Sequence, residues 1–221
     1  PSLRGLGTDL EKQSTRTRCM RADEVSVVAG GWSVKAVDLT KIPGMIIGIN
    51  EAALLLPRCD VCVSMDRLWT EARWKQLCER KMMTYLRPAA VINIPDTNRD
   101  WCNIFQCDHT TSEFSLEPGI LNGTNSGQCG FNLAYQIRPT AIYLFGFDMR
   151  KGPGGEAHWY DPYTWVKKGG GTTEGKFREW SKQFKRAAEQ CAEAGIAVFN
   201  CSTRSAINAF PKTAFYEKRK V

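Results

Sequence analysis

The chain of 221 residues predicts an α/β fold, a mostly parallel sheet with helices on both faces. Three observations carry that expectation. Short apolar runs recur along the chain without the alternation of half-exposed strands, which suits strands buried on both sides. Helical patterns, apolar at every third or fourth position, separate several of them. Run after run also ends on glycine or a polar residue, where open α/β sheets build ligand crevices.

In chain order, residues 1–24 are polar, basic and without period, and predict an arm. Residues 25–29, VSVVA, form the first strand, followed at once by Gly30-Gly31-Trp32-Ser33. Two glycines let backbone approach a ligand closely, and Ser33 can cap a short helix from Val34. The second strand, 45–49, ends in Asn50-Glu51, and the third, 60–64, ends near Asp66. Residues 69–81 read as an amphipathic helix with Trp74, Leu77 and Cys78 inward. Residues 83–86 and 91–94 are further strand candidates, while 95–119 has no period and reads as a lid or acceptor-binding insertion.

The loop Asn122-Gly123-Thr124-Asn125-Ser126-Gly127 leads into a helix that Ser126 can cap, with Cys129, Leu133 and Ile137 at every fourth position. Pro139 ends that helix, and the buried strand 141–145 delivers Gly146-Phe147-Asp148 to its carboxyl end. Amides of the first helical turn favour an anion, most simply a phosphate. Residues 150–172 open with glycines, aromatics and one of only two histidines, the pattern of a mobile loop over a crevice. A long helix, 173–194, carries Phe177, Trp180, Phe184, Ala188 and Cys191 on one stripe. The last strand, 196–199, exits through Asn200-Cys201-Ser202-Thr203. The whole predicts a single Rossmann-like domain over 25–211, with a basic tail at 212–221. Ser33, Asn50, Asp66 and Asp148 would then meet along one edge.

Hydrophobic content of 43% and charged content of 24% are those of a globular protein. No apolar run approaches the roughly 20 residues of a membrane span and no signal peptide precedes the first strand, which predicts a cytoplasmic protein. The nine cysteines sit mainly in apolar runs and predict structural thiols in a reducing compartment. Cys59-Asp60-Val61-Cys62 has no second pair to complete a zinc site. The net charge of +7 and pI near 9.0 suit a nucleic acid or a nucleotide-bearing substrate. Much of the excess lies in residues 4–21 and in Lys212, Lys218, Arg219 and Lys220, where solvated tails also account for it.

The succession V-V-A-G-G-W-S-V-K, I-G-I-N-E, D-V-C-V-S-M-D, T-N-S-G before a helix, and I-Y-L-F-G-F-D-M before a histidine-aromatic loop resembles the bacterial sialyltransferase-like glycosyltransferases. It is similar also to their relatives: motility accessory factors, archaeal hydroxymethylpterin diphosphokinases and a group of bacteriophage proteins. The phage group is nearest, through the segment 146–149 followed by a Gly-rich loop and His158-Trp159. The likeness spans roughly residues 25–165 and is distributed over many short motifs.

The resemblance implies that Gly30, Gly31, Ser33, Asn50, Asn125, Ser126 and Gly127 hold the nucleotide of a sugar donor, with Gly146 and Asp148 near its base or ribose. Asp66 joins them at the third strand's end, and His158 corresponds to the catalytic histidine. Two departures stand out. The asparagine of the first turn is Gly30 here, and no tyrosine pair to steady the leaving phosphate follows Asp148, where Met149 and Arg150 stand. His158 is suited to take a proton near neutral pH, and Arg150, Lys151, Tyr160 and Tyr163 to steady a phosphate without metal or other cofactor. The expectation is a nucleotide-sugar-dependent glycosyltransferase; charge and the phage likeness suggest a modified base in DNA as acceptor. A Mg-ATP-dependent diphosphokinase using Asp66 and Asp148, and a non-enzymatic nucleotide-binding protein, are the alternatives.

Overall fold

Seven apolar runs pair in parallel, each hydrogen-bonded to its neighbour in the order β5-β4-β3-β2-β1-β6-β7. The computed structural model describes residues 20–108, 110–161, 163 and 172–214. The strands are β1 (Glu24–Val28), β2 (Met45–Ile49), β3 (Val61–Ser64), β4 (Met83–Leu86), β5 (Cys102–Ile104), β6 (Ala141–Phe145) and β7 (Ala197–Asn200). Val27 pairs with Ile47 on one side and Leu144 on the other. β1 is thus central, and both its faces are dry: Val25 and Val27 enter one cluster with Cys129, Leu133 and Phe184, and Val28 enters another with Val34, Ile46 and Phe145. The chain first builds outward from β1 to β5 and then returns to lay β6 against β1 on the other side. Strand order reverses there, the position at which open sheets leave a crevice beyond their carboxyl ends.

The helices are α1 (Glu51–Leu55), α2 (Arg67–Arg80), α3 (Ser126–Ile137) and α4 (Glu174–Glu193). α3 lies across β1, β2 and β3, and eleven of its twelve residues are buried, so it is a central element of the core. Its polar residues Gln128, Asn132 and Gln136 recur at every fourth position and bind the loop that covers it. Asn132 Oδ1 accepts from Ser115 N at 3.0 Å and Asn122 N at 2.8 Å, and Gln136 donates to the carbonyls of Ser115, Glu117 and Ile120.

Several expectations are corrected. Residues 91–94 are not a strand: Pro88 opens a 3-10 turn over Pro88–Ala90, Ile94 N bonds to Val91 O at 3.0 Å, and Ile92 stands 73% exposed. The fifth strand is β5, inside the segment read as a lid, where three residues are too few to show a period. Phe105 and Phe114 of that segment are buried in the core, so it packs as part of the domain. Ser33 caps nothing; Gly31 stands at the N-cap of the turn Trp32–Ala36. Asn125, not Ser126, caps α3, its Oδ1 accepting from Gln128 N at 3.1 Å. The short helix α1 went unread after Asn50.

Residues 20–24 are docked rather than arm-like, with Thr140 N donating to Asp23 O and Met20 and Ala22 against the core. Lys212 likewise runs beside the end of β7, where Asn200 N bonds to Pro211 O at 2.8 Å. His109, Thr164, Trp165, residues 1–19 and the cationic 218–220 lie outside the described residues. Cys59, Cys62, Cys78, Cys129 and Cys191 are free thiols, all buried or half-buried. No helix among the described residues is long and apolar enough to cross a membrane.

Candidate functional site

At the carboxyl edge the turns after β1 and β6 are zipped together. Ala29 N bonds to Phe145 O at 2.8 Å and Gly31 N to Gly146 O at 3.0 Å. Asp148 Oδ2 accepts from Ser33 N at 2.9 Å, and the hydroxyl of Ser202 accepts from Ser33 Oγ at 2.9 Å and from Gly146 N at 3.0 Å. A methyl group at Gly31 would collide with the Gly146 carbonyl and the Asp148 carboxylate. The room Gly31 leaves is therefore taken by the neighbouring turn, not by a ligand. Asp148 is 2% exposed, and burial raises its carboxyl against the opposing hydrogen bonds of Ser33 and Ser202 and the charge of Arg150.

Gly30 meets the flap that follows β6. Trp159 N donates to Gly30 O at 3.1 Å, and His158 bridges to Gly31 in antiparallel fashion. A methyl on Gly30 would lie 2.6 Å from the Tyr160 hydroxyl and 3.0 Å from His158 Nδ1. His158 stacks on Tyr160, centroids 5.1 Å apart and planes 2° from parallel, and Tyr160 OH lies 3.1 Å from Tyr163 OH. Burial lowers the imidazole's proton affinity while the Gly30 backbone opposes it, so the ring is neutral at pH 7. Burial likewise pushes Tyr160 up to about 12 and raises Tyr163, leaving both phenols protonated donors. Tyr163 also feels the Glu51 backbone, so the flap reaches the start of α1.

On the β2–β3 side Asn50 holds φ 51° and ψ −128°, a combination that strains a residue with a side chain. Its amide bonds to Val63 O at 3.2 Å. Behind it Glu51 accepts from Trp69 Nε1 at 2.8 Å and pairs with Arg73 at 3.0 Å. Ser126 Oγ accepts from Met65 N at 3.0 Å and ties the start of α3 to the exit of β3. Gly127 sits with Asn125 and the Phe147 ring on its free side. Asp66 caps α2, its Oδ1 accepting from Trp69 N at 3.1 Å.

The structure thus joins Gly30, Gly31, Ser33, Gly146 and Asp148 into one unit, ties Asn50 and the Asn125-Ser126-Gly127 start of α3 separately to the end of β3, and runs His158, Tyr160 and Tyr163 from Gly30 to Glu51. Arg150 stands apart, in a pocket with Trp32 and Arg204. Among the described residues, the buried polar atoms without a partner include, at this edge and its flap, Trp32 Nε1, Asn50 Oδ1, Asp148 Oδ1, Glu156 Oε2, His158 Nδ1, Trp159 Nε1 and Asn200 Nδ2. Folded chains leave few such atoms, so their gathering at one edge is unusual. No group of three or more His, Cys, Asp or Glu able to hold a metal occurs among the described residues. Ser202 and the Glu51-Trp69-Arg73 set were missed from sequence. The polar exit after β7 pointed to the first; nothing local pointed to the second.

The fold, an open parallel sheet with helices, is shared with solved glycosyltransferases. The MAf glycosyltransferase from Magnetospirillum magneticum AMB-1 aligns with a TM-score of 0.59 at 17% identity over 97% of this chain; the chain spans 39% of that protein's length. Sialyltransferase CST-II, solved with a trisaccharide acceptor and CMP, aligns with a TM-score of 0.51 at 14% identity, over 90% of this chain and 89% of that one. The same enzyme from Campylobacter jejuni, with cytidine-5′-monophosphate, gives 0.51 at 14% identity, over 91% and 89%. No family model and no curated protein sequence matches the chain.

Proposed function

We propose that the protein is a glycosyltransferase that moves a sugar from a nucleotide donor to an acceptor hydroxyl. The observation that carries this reading is the meeting at one sheet edge of two glycine-bearing turns, Asn50 and the first turn of α3, with a flap that brings one half-buried histidine and two phenols against Gly30 and Glu51. The donor's phosphate lies at the amides that open α3, and its nucleoside along Asn50 and the segment 146–148. His158 takes the acceptor proton as the new bond to the anomeric carbon forms. The bond from that carbon to the phosphate oxygen breaks, and the nucleotide leaves with the electron pair while Tyr160 and Tyr163 donate to it.

This assignment accounts for both departures from the expected motif. A side chain at position 30 would collide with Tyr160, and the hydroxyl pair missing after Asp148 is supplied by the flap. Asp66 caps α2 and lies near enough to the flap for its charge to help keep the Tyr160 phenol protonated. The fold is shared with enzymes solved with CMP and with a trisaccharide acceptor, which supports a sugar nucleotide as donor and a sugar as acceptor. The clustered cations Arg150, Lys151, Arg204 and Lys212 line a small concavity rather than a track, which favours a small acceptor over DNA. Release of free nucleotide from CMP-, UDP- or GDP-sugars in the presence of EDTA tests the reading. Turnover confined to Mg-ATP would overturn it in favour of pyrophosphoryl transfer.

A further inference from the structure

Beyond the β6–β7 side of the edge lies a concavity of about 410 Å³, a volume typical of small-ligand sites. Four cationic side chains from three separate stretches line it: Arg150 and Lys151 after β6, Arg204 after β7, and Lys212. No acidic residue is among those lining it. Lys212 is held by neutral acceptors, Ser205 O at 2.7 Å and Asn208 Oδ1 at 3.1 Å, which fix its position without cancelling its charge. Lys151 and Arg204 form no ion pair among the described residues. Trp32, from the turn after β1, completes the wall, and its indole N–H is buried without an acceptor. Among the side chains that line the pocket the charge is all positive and the one buried polar atom without a partner is a donor, while the Glu156 carboxylate stands behind Gly152; that lining meets the requirement of an oxyanion rather than of a neutral sugar face.

We infer that this pocket binds the phosphate or carboxylate group of a small, sugar-sized ligand. Its place as the acceptor subsite rests on the transferase reading; its anion binding does not. Trp32 belongs to the same turn as Gly30 and Gly31, whose other side faces His158. An acceptor anchored by its charge in the pocket is therefore one short turn from the base.

Titration calorimetry at fixed ionic strength with glucose 6-phosphate, glucuronate and neutral glucose tests the site. An anionic sugar is expected to bind and glucose not. Arg204→Glu is expected to weaken the anion by about tenfold or more, and Arg204→Gln by less, with unchanged melting temperature. Binding unaltered by Arg204→Glu, equal binding of glucose, or no anionic sugar bound at about 10 mM would overturn the inference. Nucleotide binding that persists while no anionic sugar binds sinks the pocket alone. Anion binding without nucleotide binding upholds the pocket and removes its role as acceptor subsite.

Discussion

At the scale of single residues the account turns on side chains kept short of partners. His158 is half-buried and stacked, with its Nδ1 buried and missing a partner, so its removal should touch chemistry more than stability. His158→Ala is expected to lower kcat by about 100-fold or more while donor affinity stays within about twofold. Survival of activity within a few-fold would reassign the base. Because burial holds its pKa below the ordinary 6.5, the acid limb of the rate profile should fall below that pH. The same sign governs stability. The native ring binds fewer protons than the unfolded one, so its contribution is intact above pH 6.5 and declines as pH falls through that value. Asn50 carries strain no turn residue needs to bear. Asn50→Gly should raise stability by about 1 kcal/mol, or roughly 2–4 °C in Tm, while weakening nucleotide binding. Lost stability with unchanged affinity would make Asn50 purely structural.

At the scale of elements, two adjacent glycines separate fold from flap. A methyl on Gly31 meets backbone of the β6 turn, which has nowhere to go, so Gly31→Ala should destabilise by about 3 kcal/mol. A methyl on Gly30 meets only the ends of Tyr160 and His158. Gly30→Ala should leave Tm nearly unchanged, displace the flap, speed proteolysis within 150–163 and reduce turnover. Equal melting losses in the two variants would show that the flap is part of the core. The elements themselves were largely legible. β2, β4 and β6 follow from their apolar runs alone, and α4 from its aromatic stripe, because burial on both faces or one stripe writes itself into composition. β5 and α1 were not legible, since three and five residues hold no period and their existence depends on neighbours. The polar stripe Gln128-Asn132-Gln136 was visible but unread, its meaning residing in the loop it holds. Asn132→Ala would strip partners from Ser115 and Asn122 and is expected to cost about 3 kcal/mol by chemical denaturation.

For the molecule as a whole, function follows from where strand order reverses. β1 and β6 lie side by side although more than a hundred residues separate them, and that adjacency brings Ser33 to Asp148. The sequence could show that polar residues follow strands, but which of them touch is decided by order in the sheet. Asp66 and Asp148 looked alike as strand-end carboxylates. One caps a helix, while the other is buried with a spare oxygen. The account's central claim is that the edge beneath the flap seats a nucleotide. A crystal structure of the protein soaked with the nucleotide that most raises its Tm, in EDTA, tests this most directly. The account predicts phosphate oxygens on the amides that open α3, the nucleoside against Asn50 and the segment 146–148, and the flap over both. Nucleotide density lying only in the cationic pocket beside Arg204, or none at the edge at saturating concentration, would contradict it.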